Sequence, residues 1–147
     1  MSIQWGATGF VSPMTHRVLD NNTAPTEVLQ AGAAFDIEVR WEVPAALAGL
    51  VGPADTFRLR AFAESIGPGQ EIPISELTVP GAVNQTPYQA MMAINPNPLL
   101  GEEQLFGGVP VSGIYNIVVV LQHRNAGVST VHSGCSDLQP MVMFKAP

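Results

Sequence analysis

Lysine is nearly absent from this chain, which carries a single one, Lys145, beside five scattered arginines. With no basic stripe to neutralise phosphates, nucleic acid is excluded as an expected partner. Cysteine is equally scarce. The lone Cys135 rules out an internal disulfide framework and fits a reducing compartment. No apolar run approaches the ~20 residues of a membrane helix, and residues 1–6 lack a basic segment leading into an apolar stretch. The expectation is a cytoplasmic protein with no membrane span. Charge of either sign is thin, at 12% of residues with a net of −6, so copies repel one another weakly and self-association is permitted.

What is present is β-pattern. A chain of 147 residues suits one domain. Residues 113–124 form its densest β-branched run, with Tyr115, Ile117, Val119 and Leu121 on one face, as expected of a central strand. Residues 34–43 alternate as cleanly: Phe35, Ile37, Val39 and Trp41 face a core, and Asp36, Glu38, Arg40 and Glu42 face water. Residues 56–65 repeat the pattern with Phe57 and Leu59 inward. Residues 72–79 carry Pro73, which assigns them to a sheet edge. Residues 87–95 add a strand, and an irregular crossing over 96–112 leads back to the centre. Asn125-Ala126-Gly127 reads as a three-residue hairpin loop with a glycine bulge, followed by strands over 128–133 and 138–144 with a break at 134–136. Residues 44–53, apolar on every side, predict at most one short helical turn near 45–51. The total is seven or eight strands, an antiparallel all-β sandwich over 26–147, preceded by an arm over 1–25 with one short strand near 15–19.

The succession over 27–43, a short strand, the Ala31-Gly32 turn and the Phe35-x-Ile37-x-Val39 strand, resembles bacterial immunoglobulin-like domains, and Gly113-x-Tyr115 is similar to the start of their tyrosine-corner strand. That resemblance implies that the strand over 56–65, the central strand and the last strand share a sheet. Their outward row then holds Phe62, Ile114, Val118, Val120, Met141 and Met143, apolar where water-facing residues are usual. Trp5 and Phe10 on the arm, with Leu47, Leu50 and Val51 in the apolar loop, complete a candidate interface.

Candidates for chemistry are sparse. His132-x-x-Cys135 has ligand-like spacing but no second pair, so no metal is expected. In simple hairpin register His132 falls opposite Val120 and Cys135 opposite Ile117, with His123 remote from both. Ser133, Ser136, Asp137 and His132 lack a positioning motif, and Glu102-Glu103 lies in a polar loop, so no catalytic residue is assigned. Gly67-Pro68-Gly69 precedes neither a helix nor a lysine, so no phosphate cradle or cofactor is expected. The sequence points to a non-catalytic structural subunit that self-assembles through apolar outer-sheet and arm surfaces. The alternative is a binding module for an apolar ligand, lipid, peptide or carbohydrate, and another protein would fit the same surface.

Overall fold

The computed structural model describes residues 2–22, 24–137 and 141–147. Among them the chain is all-β, with one short helix, α1 (Ala45–Ala48), and twelve strands against the seven or eight that turn spacing predicts. In chain order these are β1 (Ser2–Trp5), β2 (Val11–Leu19), β3 (Val28–Gln30), β4 (Phe35–Glu42), β5 (Asp55–Ser65) and β6 (Glu71–Pro80). They continue with β7 (Pro87–Ile94), β8 (Leu105–Phe106), β9 (Val109–Pro110), β10 (Ile114–Asn125), β11 (Val128–Asp137) and β12 (Val142–Lys145). Ten strands join one mixed sheet in the order β3-β12-β10-β11-β1-β2-β4-β7, with β5 on the other edge of β10 and β6 beyond it. β8 and β9 form a separate two-stranded sheet. The β3–β12 pair is parallel. No helix among the described residues is long and apolar enough to cross a membrane.

β10 is the central strand because both of its edges are occupied. β5 pairs with it from Tyr115↔Ser65 to Asn125↔Asp55, while the opposite edge is shared end to end by β12 at Ile114 and Tyr115 and by β11 from Val118 onward. Strand alternation then sends Tyr115, Ile117, Val119 and Leu121 to one side, where each is fully buried. Phe35, Ile37, Val39 and Trp41 of β4, and Phe57 and Leu59 of β5, join the same cluster, none more than 2% exposed. Aromatic edges tie the β4–β7 end to β5: the Trp41 and Tyr88 rings stack at 5.3 Å, and Phe57 lies 5.6 Å from Trp41 and 4.9 Å from Tyr88.

Several expectations need correction. Residues 2–19 are not an arm with one short strand: β1 lies between β2 and β11 and is hydrogen-bonded to both. Ile3 and Trp5 therefore enter the core, and Trp5, placed above on an associating surface, is 2% exposed with its indole N–H donating to Ser12 Oγ at 2.8 Å. Val51 is withdrawn from the interface for a similar reason. Gly52 turns the chain after it, its N–H donating to the Asp55 carboxylate, and Val51 packs in the core at 6% exposure while Leu50 stays 79% exposed. The hairpin after β10 is a two-residue loop, because Asn125 pairs directly with Val128 and both Ala126 and Gly127 take positive φ as in a type I′ turn. β11 continues unbroken through 134–136. Of the last predicted strand, residues 138–140 lie outside the described residues, and β12 begins at Val142. The crossing over 96–112 contains the β8–β9 hairpin, unforeseen above.

Gly134 lets β1 close against β11: a Cβ there would sit 2.7 Å from the Ser2 carbonyl oxygen and 2.8 Å from Ile3 Cα. Gly134→Ala is expected to push β1 outward and destabilise the fold by about 1–3 kcal/mol, as overpacking does. Urea unfolding checks this, the midpoint falling while the slope stays that of the parent.

Candidate functional site

Two groupings stand out: a polar knot at one end of β10 and an apolar surface on its outward row. The knot arises from a register fault. Arg124 pairs with Ser129, yet Gln122 pairs with Ser133, so Thr130, Val131 and His132 occupy the span where β10 offers only His123. The Gln122 side-chain amide stitches this bulge, its nitrogen lying 2.7 Å from the Thr130 carbonyl oxygen, 3.0 Å from that of His123 and 3.2 Å from that of His132. His123 and His132 thereby become neighbours with ring centroids 5.4 Å apart, which corrects the separation that simple register implies.

His123 is 7% exposed and engaged at both ring nitrogens. Nε2 lies 2.9 Å from Asp55 Oδ1, and a carboxylate only accepts, so Nε2 carries hydrogen. Nδ1 lies 2.9 Å from Thr130 Oγ1, whose hydroxyl also lies 3.0 Å from the His123 carbonyl oxygen. Asp55 feels opposing influences. Desolvation pushes its carboxyl up, but hydrogen bonds from Asn125, the Gly52 N–H and His123, with the His123 charge, outweigh it and hold the group below the usual carboxylate range. His132 is driven below the usual histidine range by desolvation and by the charge of His123, against a hydrogen bond with the Trp5 backbone. Its Nδ1 is buried with no hydrogen-bond partner, and its ring lies 5.4 Å from that of Trp5. Because Asp55 and Thr130 already hold both nitrogens of His123, this arrangement fastens the β10–β11 end of the sheet.

The residues singled out for chemistry are dispersed. His132 pairs with Trp5 while Cys135 pairs with Ser2 and Val120, an odd spacing that sends them to opposite faces. Ser136 is buried with Oγ 2.8 Å from His16 Nδ1, whereas Ser133 is exposed. The Asp137 side chain lies outside the described residues. Among those described, no group of three or more His, Cys, Asp or Glu side chains is placed to hold a metal ion.

The apolar surface is assembled by register. On the outward row Phe62 sits opposite Val118, Arg60 opposite Val120, and Val120 opposite Cys135. Ile114 faces Met143, which in turn faces Val28 on β3. Phe62, Ile114, Val118, Val120 and Met143 are half-buried, as residues screened only by their sheet neighbours are, and Met141 and Val28 are exposed. The Arg60 guanidinium lies 5.8 Å from the centre of the Phe62 ring. Of the remaining interface candidates, Phe10 is exposed and Leu47 packs partly on the core. The outward face of β2, β4 and β7 is different in kind: Glu38 accepts from Arg17 Nε at 2.9 Å, Arg40 Nε at 3.1 Å and Gln89 Nε2 at 3.2 Å, beside an open cleft lined by Pro13, Thr15, Arg40, Glu42 and Gln89. The outward row of β5, β10 and β12 thus mixes apolar groups with polar ones, Asn116 opposite Glu64 among them, whereas that of β2, β4 and β7 centres on an ion-paired carboxylate.

No family model matches the chain, and no curated protein matches it. Solved structures of a β-glucosidase from Listeria innocua align over 95% of this chain. The complex with gluconolactone does so at 9% identity with a TM-score of 0.46, and the complex with glucose at 8% identity with a TM-score of 0.42. This chain spans 17% of that enzyme's length.

Asp55→Asn removes the charged acceptor of His123 and is expected to cost about 1.5–3 kcal/mol. Because folding depresses the Asp55 pKa, this stabilisation is fully present above the unfolded value, near 3.9, and is lost as pH falls through the lower folded value. Urea midpoints of parent and variant compared from neutral to acid pH should therefore converge only at the acid end. His132 behaves differently. Its depressed pKa favours the fold above the unfolded histidine value, about 6.5, with that contribution lost as pH falls toward the folded value. His132→Gln is expected to flatten the stability profile below about pH 6.5, which thermal melts across that range will read.

Proposed function

We propose that this chain is a non-catalytic structural subunit that associates with copies of itself through the outward row of β5, β10 and β12, and that its fold is an immunoglobulin-like sandwich. Support for the sandwich comes from two outward faces flanking one buried cluster, and from Tyr115, whose hydroxyl near the start of β10 donates to the Leu100 carbonyl at 2.9 Å. Association rests on a single observation: the register lines Phe62 up with Val118, and Ile114 with Met143 and Val28, giving two apolar groups on one outward row with Asn116 and Glu64 paired between them. Covering such groups gains ~25 cal/mol per Å² of apolar area, and a stable pair needs roughly 1,200–2,000 Å² in total. Sparse charge keeps the repulsion between approaching copies small.

Trp5 takes no part, because its ring is buried. Leu50 and Phe10 are exposed apolar positions.

Val118→Lys places a charge in the middle of the outward row and leaves the inner row intact. Its expected effect is at least about tenfold weaker association, roughly 1.4 kcal/mol, with little change in melting temperature. Light scattering behind size-exclusion chromatography at several concentrations measures this: the parent should exceed the 15.6 kDa of one chain and the variant should approach it. A parent that stays at one-chain mass throughout removes the proposal.

A further inference from the structure

The β8–β9 hairpin is the most conspicuous feature that the outer face does not absorb. It forms a two-stranded sheet of its own with Leu105 paired to Pro110 and Phe106 to Val109, closed by Gly107 and Gly108 at positive φ. All four paired residues are exposed, Leu105 at 62% and Phe106 and Val109 at 47% each. Two-stranded hairpins are marginal alone in water, and one that offers apolar side chains on both faces is matched to a covering surface. Its base is acidic, with Glu102 and Glu103 against the single Lys145 of neighbouring β12.

The opposite charge sits at the far end of β10. Arg58 and Arg60 of β5 and Arg124 of β10 lie on the outward row, and the charges of all three bear on Glu76, which is hydrogen-bonded to Arg58. Arg58 and Arg60 thus meet one carboxylate, with Arg124 opposite Thr56 further along the same row, in a chain whose net charge is −6. This cationic rim adjoins the apolar group formed by Phe62, Val118 and Val120. The hairpin base hydrogen-bonds near the start of β10, through Glu102 N–H to the Phe144 carbonyl, and the arginines sit near Gln122. Eight residues of strand, about 26 Å, separate the two ends, so a hairpin cannot fold back onto its own arginines.

We infer that the assembly is head-to-tail: the β8–β9 hairpin of one copy docks on the Arg58/Arg60/Phe62 end of the outer face of the next. This rests on the self-association proposed above and names which surface meets which. Unlike a two-fold contact between like faces, it presents one unused hairpin and one unused face at the ends of every open oligomer.

The experiment pairs two variants. One carries Leu105→Ser and Phe106→Ser at the tip, with Glu102→Lys as a second version that keeps the hairpin intact. The other carries Arg60→Glu and Phe62→Ser on the face, with Val118→Lys as its second version. Melting curves confirm that each is folded before masses are compared by light scattering. Each variant alone is expected at one-chain mass, and an equimolar mixture at twice that mass and no more, since one intact hairpin meets one intact face. Wild-type mass should also fall as ionic strength rises from about 0.05 M to about 0.5 M. A tip variant that assembles like wild type while the face variant does not, or a mixture that stays at one-chain mass, overturns the head-to-tail arrangement and leaves association through the face standing. A wild-type protein that is monomeric at every concentration overturns both.

Discussion

The pairing of β10 with β5 along nearly its whole length is the constraint on which the rest depends. Once Tyr115 stands opposite Ser65 and Asn125 opposite Asp55, the two-residue period leaves no freedom: the row containing Ile117, Val119 and Leu121 is buried, and the row containing Val118 and Val120 is turned outward. The chain placed apolar residues in both rows. An apolar exterior is therefore a geometric consequence of a β-branched run that is also a central strand. Moving Val118 inward would require slipping the register by one residue, which would expose every fully buried side chain of the inner row.

The bulge between β10 and β11 shows the limit of reading by alternation. It inserts two extra residues on β11, and an even insertion returns every later side chain to its original face. Hydrophobic pattern is blind to such a shift. The clue available in the sequence is polar: Gln122 and Thr130 supply side-chain groups that satisfy the loosened carbonyls, and His123 and Asp55 pair across β10 and β5 beneath them. Simple register misplaced His132 for this reason, and with it the two-histidine contact at the core's edge.

Much of the core was legible for the opposite reason. Residues 34–43 alternate cleanly, residues 113–124 keep one row wholly apolar while the other admits Asn116 and Gln122, and residues 56–65 place Phe57 and Leu59 on one row; the ten side chains assigned to the core from these segments all lie at or below 2% exposure. Trp5 and Val51 were not legible. Their segments have no period, and what buries them is tertiary: a slot between β2 and β11 that Gly134 keeps open, and a turn at Gly52 anchored on Asp55. Leu105 to Pro110 hid for yet another reason. A Gly-Gly pair between two apolar dipeptides is a hairpin signal, but the flanking runs are too short to register as strands.

The outward rows of β2, β4 and β7 and of β5 and β10 differ in how their charges are spent. On β2, β4 and β7 the carboxylate of Glu38 is already neutralised by Arg17 and Arg40, so that face offers a partner little unspent charge. On β5 and β10, Arg58 hydrogen-bonds Glu76 and Arg60 stands opposite it beside Phe62, and the acidic hairpin base lies at the other end of β10. Unlike surfaces on opposite ends of one rigid element give a molecule direction. Contacts between unlike surfaces do not close in pairs, so the rotation that carries one copy onto the next decides between a ring and an open filament. In the head-to-tail assembly proposed above, that rotation would follow from the angle between the β8–β9 hairpin and the β5–β10 face, an angle set where Glu102 N–H meets the Phe144 carbonyl and Val111 N–H meets the Gln104 carbonyl.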